Sequence, residues 1–214
     1  MKPNEKIFVY GAGGHGKVII DILHLQGVPI GAVIDDDEKL EGNKIFEYII
    51  INAKSALASL HQLNINAGII AIGENPVREE KARLIRSLGY DLITAVHPSA
   101  VLSRTVTLGA GTAVMAGVMV NSDTTLGENV VLNTGCTVDH DCRIGQAAHI
   151  SPGAHLGGNV AIGDRTQIGI GAVVLPNLRI GNDVMVGGGA AVIRDLPDGV
   201  TAVGVPARII RTKT

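Results

Sequence analysis

The chain has 214 residues, 46% of them hydrophobic, with a formal charge of −2 and 2% aromatics, which bounds it to one or two domains with apolar content enough for a full core. It offers neither a basic groove nor a stacking platform, so nucleic acid is excluded as a partner. No long apolar run follows Met1 to Lys6, and no stretch reaches the roughly 18 uninterrupted apolar residues of a membrane span; the chain reads as cytoplasmic, with no membrane insertion.

Ile7-Phe8-Val9-Tyr10 reads as a buried strand, Gly11-Ala12-Gly13-Gly14-His15-Gly16 as a tight turn, and Lys17 to Gln26 as an apolar-faced helix ending at Gly27. A second strand over Ile30 to Ile34 closes at the acidic run Asp35-Asp36-Asp37-Glu38. A helix through Ala53 to Leu63 and a strand over Ala67 to Ile72 come next. Asn75 caps a helix whose first turn carries Pro76, as helix starts prefer. That helix runs to Leu88 and stops at Gly89, and Asp91 to Ala95 forms a last strand. Alternating strands and helices predict a small Rossmann-like parallel sheet domain over residues 1–95, its ligand site outside the strand ends. His97-Pro98 marks the joint.

Gly11, Gly13 and Gly16 satisfy G-x-G-x-x-G after a strand and at the opening of a helix, with Asp35 about twenty residues on. Glycines there let backbone approach phosphate, and the helix N-terminus favours its charge. Three readings fit: a dinucleotide, which would make the chain an NAD(P)-dependent oxidoreductase; a nucleotide attached to something else; and a purely structural turn. The second half of the chain is a poor companion for hydride chemistry.

From Val96 to Pro197 the chain divides into seventeen consecutive hexapeptides without an insertion, each with an aliphatic first residue, such as Val114, Leu132, Ile150, Ile168 and Val186. The fifth positions are small or apolar, Cys136, Cys142 and Ala148 among them, and glycine recurs at the second position, as at Gly109, Gly127, Gly145 and Gly163. The expected reason for these glycines is a backbone that turns between short strands and needs freedom from a Cβ. A repeat this short cannot bury its own apolar residue, so the repeats stack as rungs around a continuous inward column. Three six-residue faces make an eighteen-residue coil, and about five to six coils at roughly 4.8 Å spacing give a prism on the order of 27 Å long.

Cys136 and Cys142 fall on inward positions and read as small core fillers, not as a disulfide or a nucleophile, since burial raises a thiol's pKa. Unusual residues gather instead at outward positions: Asn133-Thr134, then Asp139-His140-Asp141, then His149 and His155. An imidazole flanked by two carboxylates is the strongest general-base candidate, because a carboxylate fixes its tautomer and raises its basicity. A non-catalytic solenoid scaffold would need no such cluster.

These features together resemble the sugar acyltransferases of the hexapeptide superfamily, similar to enzymes that N-acetylate UDP-linked 4-amino sugars and to sialic acid O-acetyltransferases. The resemblance rests on Gly11 to Gly16, Asp35-Asp36, Asn133-Thr134, Asp139-His140-Asp141-Cys142 and Gly204-Val205-Pro206-Ala207-Arg208, and so covers both halves. It implies a left-handed parallel β-helix acetyltransferase domain over residues 96–214, the general crossover rule alone favouring the other hand. It further implies that acetyl-CoA binds as co-substrate in grooves between subunits, and an acceptor that is a nucleotide-linked amino sugar used in surface glycan synthesis; prism faces rich in Val, Ile and Ala leave an apolar flank that predicts a homotrimer. By the family motif His140 is the general base and Asp141 its orienter. His149, Gly158 and Gly188 serve the coenzyme, while Gly13, Gly14, His15, Asp35, Asp36 and Asn133 serve the acceptor. Asp141 stands where the amino-sugar enzymes often carry Glu. O-acetylation of sialic acid or another sugar is the alternative activity. No metal is expected: the histidine spacings of nine and six do not match the close pair plus distant third ligand of zinc-binding hexapeptide proteins.

Overall fold

A computed structural model describes residues 5–212, which divide between Pro98 and Ser99 into two units. In the first unit the elements run β1 (Ile7–Tyr10), α1 (Gly14–Leu25), β2 (Ile30–Asp35), β3 (Lys44–Ile45), β4 (Tyr48–Asn52), α2 (Ala53–Leu57), β5 (Ala67–Ile70), α3 (Asn75–Ser87) and β6 (Asp91–Leu92). The sheet order is β3-β4-β2-β1-β5-β6, parallel throughout except for the β3–β4 hairpin. Central β1 is wholly buried, as a parallel strand covered on both faces must be. Phe8 packs edge-on against Tyr90 at 5.2 Å, and the Tyr90 hydroxyl donates to the Leu57 carbonyl at 2.7 Å. Parallel pairing brings the ends of β1, β2 and β4 to one edge, where Tyr10, Asp35 and Asn52 lie.

Several boundaries differ from the sequence expectation. Helix α1 opens at Gly14, not Lys17, because Gly13 is extended and its carbonyl already accepts from the Lys17 N–H at 3.2 Å; Gly14, His15 and Gly16 are its first turn. The helix expected over residues 53–63 is two pieces, α2 and a 3-10 turn at Leu60–Leu63, where Ser59 leaves helical geometry and its hydroxyl donates to the Ala56 carbonyl at 3.1 Å. Asn75 is not the cap of α3. Glu74 precedes the helix, and the Asn75 side-chain oxygen accepts from Arg78 at 2.8 Å. The strand expected to reach Ile72 ends at Ile70, and the last strand is interrupted after Leu92. Strands β3 and β4 had no expected counterpart.

The second unit carries one two-residue strand per hexapeptide, from Val101–Leu102 to Ala191–Val192. As far as Val173–Val174 each pairs in parallel with the strand eighteen residues on, as Ala113↔Val131, Thr137↔His155 and Arg143↔Ala161 show, and the last coil is shorter, Met185 pairing with Thr201. The coil therefore has three faces, and the fold is a left-handed parallel β-helix. Outward residues of the first face include Ala113, Val131, His149 and Gln167; of the second, Met119, Thr137, His155 and Val173; of the third, Thr125, Arg143, Ala161 and Arg179. First-position Val114, Leu132, Ile150, Ile168 and Val186 form a solvent-free column. Buried Thr124 and Thr166 join it by donating their hydroxyls to the carbonyls of Asp139 and Gly181, at 2.8 and 2.6 Å, which removes the penalty of burying an unpaired hydroxyl.

The repeat's glycines divide into two physical classes. At the fourth position φ is positive in nearly every repeat, filled mostly by glycine (Gly117, Gly135, Gly153) or by Asp and Asn (Asp123, Asn129, Asp141, Asn159, Asp183), the types that best tolerate that region, with Ala147 and Arg165 as exceptions. The second-position glycines have ordinary φ. Other repeats carry Met115, Asn121 and Leu175 at that position, but where glycine stands the next coil leaves no room for a Cβ: at Gly163 it would lie 2.5 Å from Gly181 C and 2.6 Å from Asn182 N. Close approach, not turning freedom, explains them.

Candidate active site

The expected site residues fall into a group in each unit. In the first unit, Gly13 caps α1 in extended conformation, and a Cβ on Gly13 or Gly14 would meet no protein atom within 4 Å. Nothing inside the fold requires glycine at either position. The structural glycines of the motif are Gly11, with φ +117° and Ala71 O 2.5 Å from a would-be Cβ, and Gly16, which packs on the Gly11 carbonyl. His15 turns its ring inward. Burial, helped by the charge of Arg78, lowers its pKa to about 4, so it is a neutral imidazole at cellular pH and supplies no cation to a phosphate.

Asp35 and Asp36 do different work. Asp35 accepts the backbone N–H of Ala12 at 2.7 Å and of Asp37 at 2.9 Å, and so pins the glycine turn to the end of β2. Asp36 accepts from the Tyr10 hydroxyl and from Lys81 Nζ, each at 2.7 Å. Burial pushes its carboxyl upward, but the bonds from Lys81 and Tyr10 outweigh that and hold it below the usual carboxylate range. Burial first, then Asp36, keeps Tyr10 from ionising. These groups open onto a cavity of about 300 Å³ lined also by Lys54, Leu57, Ala58 and Leu84, apolar walls with few polar anchors, as small-ligand sites usually are. Tyr10, Lys54 and Lys81 were missed by the sequence reading. The available signal was a phenol at the last residue of β1, beside the glycine turn. Buried Arg78, which donates to the carbonyls of Ile72 and Gly73 at 3.0 Å, was also missed; it braces the loop after β5.

In the second unit the six candidates separate onto two edges of the prism. His140, Asp141 and Gly158 lie where the chain passes from the second face to the third; Asn133 and Gly188 lie between the first and second, and His149 points out from the first. His149 is 9% exposed and meets Asn133 Nδ2 through Nε2 at 3.1 Å. Within one chain, therefore, the fold does not bring His149 to His140. His155 is exposed on the second face, its Nδ1 2.8 Å from Thr137 Oγ1.

His140 is held from two sides. Its Nδ1 lies 2.7 Å from Asp141 Oδ2, which makes Nδ1 the protonated nitrogen, and its backbone N–H donates to Asp139 Oδ1 at 2.8 Å. Asp139 is in turn gripped by Asn121 Nδ2 at 2.7 Å. The shorter Asp141 side chain reaches because the fourth-position turn sets its φ at +60°. The hydrogen bond to Asp141, and then the charge of Asp139, raise the His140 pKa above the ordinary histidine value. Nε2 has no hydrogen-bonding partner among the described residues, and the side chain is 59% exposed. The arrangement is an accessible base with a fixed tautomer.

Cys142 donates to the Gly157 carbonyl at 3.3 Å, and burial raises its pKa; burial takes Cys136 to about 12. Both thiols are free and inert. Among the described residues no group of three or more His, Cys, Asp or Glu side chains is placed to hold a metal ion, and no helix is long and apolar enough to cross a membrane.

The PglD N-terminal domain family matches residues 6–85. Over 111 residues the chain is 38% identical to a UDP-N-acetylbacillosamine N-acetyltransferase of Bacillus subtilis (strain 168), a match spanning 50% of this chain and 50% of that curated relative. A histidine-to-alanine variant of the GDP-perosamine N-acetyltransferase of Caulobacter crescentus, solved in complex with CoA and GDP-perosamine, superposes with a TM-score of 0.93 at 41% identity, over 96% of this chain and 97% of that one. The acetyltransferase domain of PglB from Neisseria gonorrhoeae FA1090, solved with acetyl coenzyme A, gives 0.90 at 36% identity, over 97% and 100%. With identity of this level over nearly the full length of solved members, and with both halves matched in one order, the chain belongs to the hexapeptide-repeat sugar acyltransferase family.

Proposed function

We propose that this chain transfers acetyl from acetyl-CoA to the amino group of a nucleotide-linked amino sugar, by direct attack in a ternary complex. The observation that carries this reading is the His140–Asp141 pair, 2.7 Å apart on an exposed edge of the prism with Nε2 open. The neutral amine attacks the thioester carbonyl carbon, and Nε2 of His140 takes the proton that the nitrogen sheds. Collapse of the tetrahedral intermediate forms the amide and expels the CoA thiolate, which recovers that proton as the thiol. Backbone N–H groups or His149 would steady the oxyanion. Two buried, unreactive cysteines argue against an acyl-enzyme.

The N-acetyltransferases of nucleotide-linked amino sugars among the relatives support the acceptor class. We assign acceptor binding to residues 1–95 and acetyl transfer to 96–214. The diphosphate would approach Gly13 and Gly14, where the fold itself asks for no glycine, with the base directed to the Tyr10–Asp36–Lys81 cavity. The outward apolar residues of the second face, Val101 at 65% and Met119 at 51% exposed, support a homotrimer. In it the His140 edge of one copy and the His149–Gly188 edge of the next would complete one groove for acetyl-CoA, with Asn133 on that second edge kept for the acceptor. A cytoplasmic role in supplying surface glycan synthesis fits both co-substrates. The test is thiol release from acetyl-CoA against a panel of UDP-, GDP- and dTDP-linked amino sugars, their hydroxyl counterparts and free sialic acid. Release with an amino sugar is the expected result; release only with hydroxyl acceptors would overturn the assignment to nitrogen.

A further inference from the structure

Gly158 is a glycine for which the solenoid gives no reason. Its φ lies outside the left-handed region, so its backbone suits any residue. The same third position of the hexapeptide carries Arg104, Glu128, Gln146, Asp164 and Ile170 in other repeats, so the stacking of coils does not demand a small residue there. What is particular to this coil is the residue eighteen positions earlier, directly below it. A Cβ built on Gly158 would lie 2.6 Å from Cε1, 2.7 Å from Nε2 and 3.2 Å from Nδ1 of His140, and these are its three nearest atoms. The imidazole occupies the space a side chain at 158 would need. The two coils are locked in that register by the Asn159 N–H, which donates to the His140 carbonyl at 2.8 Å.

We propose that Gly158 is a positioning residue for His140: its missing Cβ leaves the seat in which the imidazole lies with Nδ1 on Asp141 and Nε2 turned to the acceptor. The inference rests on His140 being the base, and it adds the residue that fixes where the base stands. An alanine methyl needs about 1 Å more than the ring leaves, judged against ordinary contact distances. Because the ring is largely exposed, it would yield by swinging outward, leaving the fold intact and the Asp141 hydrogen bond broken. Displacement of a catalytic group by this amount is worth up to roughly a hundredfold in rate.

The experiment is Gly158→Ala, alone and combined with His140→Ala, with steady-state kinetics and NMR titration of the His140 ring. Alanine keeps the peptide N–H, so backbone contacts to the coenzyme survive. Gly158→Ala should lower kcat by roughly ten- to a hundredfold. The His140 titration should fall toward the ordinary histidine value, the acidic limb of the rate profile should move with it, and the urea midpoint should stay put. In the His140→Ala background the second substitution should do nothing more. An unchanged His140 titration in Gly158→Ala, or a further loss in the His140→Ala background, would overturn the proposal. Full activity of His140→Ala would sink the base assignment instead, and the titration, which needs no turnover, would still decide whether Gly158 seats the ring.

Discussion

Substituting Gly163 by alanine tests the rung packing on which the whole site is mounted. The new Cβ would lie 2.5 Å from Gly181 C and 2.6 Å from both Asn182 N and Gly181 O, where ordinary contact begins near 3.4 Å. Those neighbours are backbone, held by the Gly163 N–H to Ile180 O bond at 2.8 Å and by Thr166 Oγ1 to Gly181 O at 2.6 Å, so they cannot rotate aside as a side chain would. The coils must separate by about 1 Å at this corner, an overpacking that costs about 1–3 kcal/mol before any loss from the two hydrogen bonds. Gly135→Ala is the control: its Cβ meets nothing within 4 Å, and the cost is the left-handed φ of +66°, about 1–2 kcal/mol. Ala147 already holds that conformation at φ 53°, which argues for the lower end. Urea unfolding of both variants at one fixed protein concentration measures the difference. If Gly163→Ala unfolded at the same urea concentration as Gly135→Ala or higher, the claim that the next coil presses on Gly163 would be wrong.

His140→Ala should lower turnover by roughly 10²–10⁴-fold, the range for losing a general base, with the fold retained because the ring fills no core space, whereas His155→Ala should cost little; equal small losses in thiol release would remove His140 from the role. The hydrogen bond from Asp141 raises the His140 pKa, so imidazolium persists to higher pH and the acidic limb of kcat/KM should lie above about 6.5. Asp141→Asn removes the stabilising charge, and the limb should move down in pH while kcat falls; a limb that stayed in place would deny Asp141 its part. Tyr10→Phe, which deletes the 2.7 Å bond to Asp36, and Gly13→Val should each weaken nucleotide-sugar binding by calorimetry and spare acetyl-CoA, and a loss confined to acetyl-CoA would show that the ligands have been assigned to the wrong units.

The catalytic pair was legible because its members are adjacent in sequence. His140 and Asp141 sit at the third and fourth positions of one repeat, and the turn that orients the carboxylate belongs to that repeat. The Gly158 seat could have been found by adding the eighteen-residue coil to 140, since the period was already in hand. The Tyr10–Asp36–Lys81 cluster could not, because its three residues come from a strand, a loop and a helix with no shared spacing. Asp35 looked like a ligand contact and is first a brace for the turn, a distinction that depends on which backbone N–H groups happen to face it.

What the sequence determined by itself was whatever repeats or is local: the inward aliphatic column, the eighteen-residue coil, the alternating strands and helices of the first unit, and the pairing of imidazole with carboxylate. Periodic burial leaves a periodic pattern, and a short-range hydrogen bond needs only neighbours. The tertiary structure alone decided where α1 begins, why the second-position glycines are glycines, and which groups gather around Asp36. Those outcomes depend on how closely one coil or strand approaches another, and that distance is set by packing across the fold, which no single stretch of chain records.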